Sequence, residues 1–338
     1  MGRKSGQKTD ETRNLFLKYL KLSPKTHFVS FTLNTTYGIN LILSQLKIDG
    51  IEKVMTSDIE HNSPFLSTIS FAKKHNIPRE VMTREEDGSI DVSKYNFDKA
   101  VVVVNSVSNF DCRELKNLPE LVKKVHKSGG IVIIDAAQAI GHYADRLAKT
   151  DADVICASAH KMYAPSLGVI ITKRDILPRM ELSFIGGGMV DDVTSMDEYI
   201  LSSNSPQHAF MSLEAGLQAW GEIIATGEAI KWIEKNRKSS RISEYAKKLF
   251  DFLESSDKIH LVNNSSANVI SFYHETIDSH LLAGALSDQG IMARSGYFCC
   301  HYYLDKVKHY PPLLRLSLGL HNTEEDINKV ITELEKIV

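Results

Sequence analysis

The stretch "ARSGYFCCHYY" at residues 293–303 sets two of the chain's four cysteines side by side, behind an arginine, a glycine and two aromatics. A thiol attacks as its thiolate, and because its free pKa is about 8.5, a nearby cation is needed to ionise it at neutral pH. Neighbouring residues on an extended loop point in opposite directions. Only one of Cys299 and Cys300 can therefore face a reacting group, while the other serves as a small apolar filler. Zinc sites space their ligands along the chain, whereas Cys299, Cys300 and His301 are consecutive, so no metal is expected there.

Other polar residues follow short apolar runs. After "HFVSFTL" comes "NTTYGINLIL", whose Thr35 and Thr36 stand at a helix start, where open N–H groups receive phosphate or where Asn and Thr act as plain caps. "KVMTS" leads into "DIEHNSPF", with His61 between a strand and the next helix, and "VVVVNSVSN" ends at Asn109. Asp135 closes "GGIVIID", and an ionised carboxylate at the end of a buried strand is costly without a cation to pair with it. Gln138 follows in the same turn. "ADVICAS" runs into "AHKMYAPS", which groups Ser158, His160 and Lys161; a lysine in such a crevice can lose its proton by desolvation and act as an amine nucleophile. A phosphate site, an acid for a heterocyclic cation, an imidazole to stack on a ring and an amine for an aldehyde together describe one ligand, pyridoxal 5'-phosphate.

The elements that must position these residues are legible in the patterning. Apolar runs alternating with amphipathic stretches such as "LPELVKKVHKSG" predict a mostly parallel sheet with helices on both faces. Ligands of such sheets gather outside the carboxyl ends of the strands, where the residues above stand. A long helical region from about Ser205 to Ser255 leads into "KIHLVN", "ANVISFY", "SHLLAGALSDQG", "IMARSG", "LLRLSLG" and "NTEEDINKVITELEKIV", the elements of a smaller α+β domain. The expected division is a large domain over residues 1–235 and a small C-terminal domain over residues 236–338. In the last helix Thr323 and Asp326 form a capping box, and Ile327, Val330, Ile331, Leu334 and Ile337 an apolar stripe.

Composition agrees with this division, since 338 residues at 43% hydrophobic content can fill two cores. A net charge of −2 gives no global basic field for nucleic acid, and the start "MGRKSGQK" reads as a solvated tail. No apolar run approaches the roughly 18 residues that span a bilayer, and no targeting core follows the N-terminal charges, so no membrane is implied and the cytoplasm is the expected location. Four cysteines are too few for a disulfide framework, so Cys112, Cys156, Cys299 and Cys300 are expected as thiols.

The ordered series "NTTYGINL", "EHNS", "VSN", "DAAQA", "SAHKMY", "GGGM", "RSGYFC" and "LRLSLGLHNTEEDI" resembles the class V branch of the fold-type I pyridoxal-phosphate enzymes, and more narrowly the cysteine desulfurase and selenocysteine lyase family, from about Phe28 to the C-terminus. The resemblance implies the fold-type I transferase architecture. It implies that Lys161 binds the cofactor's aldehyde, Asp135 pairs with the pyridinium nitrogen, His61 stacks on the ring and Gln138 bonds the phenolic oxygen. Thr35, Thr36, Ser158 and His160 would hold the phosphate, with Asn109 close by. Ser205 in "SSNSPQ" would reach the phosphate of a neighbouring subunit, so a homodimer is expected. Arg315 in "LLRLSLG" matches the binder of the substrate carboxylate, a task suited to a guanidinium fork.

"RSGYFC" reproduces the spacing of short-loop desulfurases, which implies that Cys299 is the nucleophile. Arg294, also placed near substrate, or a protonated His61 would supply the cationic help. The implied reaction takes sulfur from L-cysteine, releases L-alanine and leaves a persulfide on Cys299 for a sulfur-acceptor protein. Selenocysteine lysis and transamination use the same cofactor residues without a mobile thiol, and a binding protein that has kept the fold and lost turnover is the reading from a different class. The sequence departs from the family in several places. Family chains carry a further N-terminal segment that helps close the site, whereas here the match begins almost at once. Asn34 stands where glycine is common, and Pro64 replaces a polar residue. "YAPSLG" is short and poor in glycine, and "NFDCRE" lacks the glycine usual after "VSN".

Overall fold

A computed structural model describes residues 2–337. The chain divides into two compact units: one gathers the chain up to Ser57, Ser63–Ser106 and Leu115–Trp232, the other Asp58–Asn62, Val107–Glu114 and the chain from Ile233 on. The first unit opens on helix α1 (Gly2–Tyr19), so residues 2–8 are not a tail but its mostly exposed first turns. Later turns carry that helix. Thr9, Thr12, Arg13, Phe16 and Leu17 recur at helical spacing and are buried, and helix propagates outward from a packed stripe at little cost.

The first unit is built on a seven-stranded sheet of β1 (His27–Thr32), β2 (Lys53–Ser57), β3 (Arg79–Met82), β4 (Ala100–Asn105), β5 (Ile131–Asp135), β6 (Val154–Ser158) and β7 (Gly168–Lys173), in the order β1-β7-β6-β5-β4-β2-β3. Only β7 runs against the others: it pairs antiparallel with β1 and β6, and the remaining neighbours pair in parallel. Every residue of β4, β5 and β6 is buried, which is why these strands read as unbroken apolar runs. Between the strands run α2 (Thr35–Gln45), α3 (Asn62–His75), α4 (Leu118–Lys127) and the single turn α5 (Ala144–Leu147). Ile39, Ile42 and Leu43 of α2 share one core with Val101, Ile133, Val154 and Ile170 of the sheet, each such burial worth about 1.5–3 kcal/mol.

A short hairpin, β8 (Val190–Val193) with β9 (Tyr199–Leu201), precedes the long region expected to be helical from about Ser205 to Ser255. That region is broken: tight turns over Pro206–Leu213 give way to an irregular stretch before α6 (Trp220–Asn236) and α7 (Ile242–Glu254). The break is tertiary in origin. The buried Glu214 carboxylate accepts from Arg13 at 2.6 and 2.7 Å and from the Phe31 N–H at 2.6 Å, and these charge-assisted bonds outweigh local helix propensity.

The second unit carries the antiparallel sheet β10 (Ile259–Leu261), β11 (Val269–His274), β12 (Arg294–Gly296) and β13 (Leu313–Ser317), in the order β10-β11-β13-β12. Its helices include α7, α8 (Ser279–Asp288) and α9 (Glu324–Leu334), which pack Leu249, Leu253, Leu282, Ile327 and Leu334 against Phe272 and Leu316 of the sheet. Thr323 and Asp326 form the expected capping box at the start of α9. A second, smaller core joins the two short inserted segments to this unit: Ile59 and Phe110 pack with Val262, Cys300, Tyr303, Leu304 and Leu313. Among the described residues no helix is long and apolar enough to cross a membrane.

Candidate active site

In the first unit the carboxyl ends of β4 and β5 lie in register, Asn105 beside Asp135, and Asp135 pairs with Cys156, two residues before the end of β6. Asp135 is 5% exposed, and its carboxylate accepts from the Ala137 N–H at 2.9 Å. Burial raises its pKa above the ordinary carboxylate value, against the opposing pull of that hydrogen bond and of the Lys161 charge. A further cation beside it would relieve the cost of holding a charge there. Lys161, half-buried, sits in the tight turn Ala159–Met162 directly after β6. A Cβ on Gly141 would lie 2.7 Å from the Lys161 carbonyl oxygen, so only glycine lets the turn after β5 close on the lysine's backbone. Tyr163 ends the lysine turn in the left-handed region at φ 64°, where a glycine would be the cheaper residue. Desolvation first, then the Lys161 charge, lower the His160 pKa, which favours the neutral imidazole. The Cys156 thiol is pushed well up by burial and by Asp135, as an inert core cysteine should be.

Four hydroxyls gather here, three from the starts of α2 and α3 and one, Ser158, from the end of β6. Thr35 and Ser158 are joined Oγ1 to Oγ at 2.6 Å, the Thr35 N–H donates to Ser158 Oγ at 3.2 Å, and Thr36 Oγ1 lies 2.6 Å from Ser63 Oγ. Gly168, opposite both Thr32 and Ser158 in the sheet, permits the approach: a Cβ there would lie 2.6 Å from the Asn34 N–H nitrogen and collide with the Thr32 hydroxyl. Asn34 caps α2 by accepting from the Tyr37 N–H at 2.9 Å. Gln138 is half-buried in the turn after β5. Ser205, at the entry to the 206–213 turns, makes no side-chain hydrogen bond with this group among the described residues. Two residues were missed as candidates. Ser63 completes the hydroxyl set, and Ser106 holds a buried hydroxyl without a hydrogen-bond partner, its N–H on the Asp135 carbonyl at 3.1 Å. Both lie in the strand-end runs "EHNS" and "VVVVNSVSN", where a serine passes for a filler.

The second unit arranges the thiols and guanidinium groups. Cys299 is exposed and Cys300 buried, but the loop between them is not extended as expected: Phe298 and Cys299 are both left-handed, at φ 49° and 60°. Each such residue costs about 1–2 kcal/mol, so the turn must be held from outside. Asn109 Nδ2 donates to the Phe298 carbonyl at 2.8 Å, the Asn62 N–H to the Cys299 carbonyl at 2.6 Å, and the Cys300 N–H to the Tyr297 carbonyl at 2.7 Å. His61 is half-buried next to Asn62. Arg315 on β13 donates from Nη1 to the Asn109 carbonyl at 2.8 Å and lies 4.7 Å over the Phe298 ring. Its Nε is sealed from solvent with no hydrogen-bond partner, and it forms no ion pair among the described residues. Arg294, exposed, is its neighbour across β12 and β13. Burial, then the Arg294 charge, lower the Arg315 pKa, so this pair of cations is arranged to receive an anion.

The family profile described as Aminotransferase class-V matches residues 1–330. The chain belongs to the class-V aminotransferase family. A protein of Haemophilus influenzae named probable cysteine desulfurase is 32% identical to this class-V chain over 92% of its length and 72% of the relative's. One of Pyrococcus abyssi with the same name is 28% identical over 98% and 84%. Among solved structures, the apo cysteine desulfurase of Thermococcus onnurineus NA1 superposes with a TM-score of 0.86 at 26% identity, over 99% of this chain and 85% of that one. These matches establish the expected fold-type I architecture. The donor set of the first unit fits the pyridoxal phosphate of class-V enzymes: hydroxyls at a helix start suit a phosphate, a buried carboxylate of raised pKa suits a ring cation, and an amine stands in the next strand-end turn.

Proposed function

We propose that the protein is a pyridoxal-phosphate-dependent cysteine desulfurase, converting L-cysteine to L-alanine with transfer of the sulfur to Cys299. The observation that carries this reading is the exposed Cys299, held in a left-handed turn by Asn109, the residue whose carbonyl also receives the unpaired Arg315. The cofactor, when bound, supplies an electron sink at the substrate Cα. Lys161 anchors it through the aldehyde and moves the Cα proton. Asp135 keeps the ring nitrogen protonated. Thr35, Thr36, Ser158 and His160 hold the phosphate, joined by Ser63. His61 stacks on the ring, Gln138 bonds the phenolic oxygen, and Arg315, aided by Arg294, fixes the substrate carboxylate. The Cys299 thiolate attacks the substrate sulfur. The carbon–sulfur bond breaks with its electron pair passing to Cβ, a persulfide remains on Cys299, and the carbon skeleton takes up a proton from solvent at Cβ and one returned by Lys161 at Cα to leave as alanine. The functional unit is a homodimer with Ser205 serving the partner's phosphate, working in the cytoplasm and delivering sulfur to an acceptor protein.

The test is to give the cofactor-loaded protein L-cysteine and a thiol reductant and to measure sulfide and alanine together. Equimolar products are expected, with a loss of more than about 100-fold in Cys299→Ser. A keto acid in place of alanine would move the assignment to transamination. L-selenocysteine turnover that survives Cys299→Ser, with no cysteine turnover in the parent, would move it to selenocysteine lysis.

A further inference from the structure

We infer that Cys300, the buried neighbour of the exposed thiol, is a positioning residue that sets the presentation of Cys299 through Asn109; the inference rests on the desulfurase reading of Cys299. Cys300 is 0% exposed and packs among Ile59, Phe110 and Leu313, where a small filler needs no polar partner. Its thiol nevertheless donates to Asn109 Oδ1 at 2.9 Å. The same amide donates from Nδ2 to the Phe298 carbonyl at 2.8 Å. One side chain thus spans the loop on both sides of Cys299.

The thiol selects the amide's orientation. With Oδ1 held by the Cys300 S–H, the NH2 group faces the Phe298 carbonyl; a flipped amide would set its NH2 against the S–H and its oxygen against a carbonyl, losing both bonds. Phe298 and Cys299 occupy the left-handed region, which costs residues with a Cβ about 1–2 kcal/mol each, and such bonds offset that cost. The Asn109 carbonyl also receives Arg315 Nη1 at 2.8 Å, so the residue that Cys300 orients ties the carboxylate-binding guanidinium to the thiol loop. Releasing the amide therefore loosens Cys299 from the positive field of Arg315.

The test compares Cys300→Ala, which removes the donor, with Cys300→Ser, which keeps one, in the cofactor-loaded protein. Two quantities are read: sulfide release from L-cysteine, and the rate of Cys299 alkylation by iodoacetamide at fixed pH, followed by peptide mass. Cys300→Ala is expected to lower kcat about three- to ten-fold, the worth of one hydrogen bond, with KM changed less than about two-fold. Its Cys299 alkylation rate at fixed pH is expected to change at least about three-fold from the parent's, because the thiol is no longer held in one presentation. Cys300→Ser is expected to stay near the parent on both readouts. Asn109→Ala is expected to show the same change in alkylation rate, and adding Cys300→Ala to it no further one, because the two act as one unit. Equal losses in the Ala and Ser variants, or parent-like alkylation in Cys300→Ala, would overturn the inference. If the parent protein releases no sulfide, the desulfurase reading fails, while the alkylation comparison still decides whether Cys300 positions Cys299.

Discussion

Arg315→Ala separates substrate binding from loop support, because the structure allows each contribution to be sized. A substrate carboxylate accepting from a partly buried guanidinium contributes about 1.5–3 kcal/mol, so at about 1.4 kcal/mol per decade KM for L-cysteine should rise roughly 10- to 150-fold. The structural loss is smaller. The side chain gives up one hydrogen bond, to the Asn109 carbonyl, and one contact over Phe298, about 1–2 kcal/mol together. That corresponds to a fall in Tm of about 2–8 °C for a unit of this size. Arg315→Lys keeps the charge but not the fork, and its KM should fall between the two. Steady-state sulfide release across a cysteine titration measures the first effect and thermal unfolding of the same samples the second. A folded, cofactor-loaded Arg315→Ala protein whose KM stays within about two-fold of the parent would show that the carboxylate is bound elsewhere.

Lys161→Ala should lose the borohydride-sensitive absorbance of bound cofactor and turn over at least about a thousand-fold more slowly; retention of that absorbance places the attachment on another lysine. Because burial raises the Asp135 pKa, the cofactor-free protein loses stability as pH climbs from the unfolded carboxylate pKa of about 3.9 to the raised folded one. Asp135→Asn should therefore raise the cofactor-free Tm at pH 7 by about 2–4 °C while slowing turnover of the loaded enzyme at least about ten-fold. A Tm below the parent's would mean that Lys161 and the Ala137 N–H already offset the burial. The His126 pKa is raised chiefly by its hydrogen bond to Asp153, at 2.9 Å. Its contribution to stability is complete below the unfolded histidine value of about 6.5 and is lost as pH rises through the folded value. His126→Gln should flatten the Tm-against-pH curve above about pH 6, and an unchanged slope would refute the coupling.

Features decided by residues near one another in sequence were legible without a structure. The buried runs of β4, β5 and β6, the capping box at Thr323 and Asp326, and the placement of Asp135, Ser158 and Lys161 at strand ends follow from periodicity and from the turn that must come after a strand. Local signals failed where distant groups overrode them. Helix α1 extends through a polar start because its later turns are packed, and the helical stretch after Ser205 breaks where Glu214 turns to Arg13, 201 residues away. The sharpest case is the thiol pair. Nothing in "GYFCCH" announces two consecutive left-handed residues, because their local energy is unfavourable; an amide 191 residues from Cys300 in sequence holds them, and such a bond exists only once the chain has folded. Residue types and spacing thus determined which chemistry was present, and long-range packing and hydrogen bonding decided how the thiol pair is turned, with Cys300 in a core and Cys299 toward solvent.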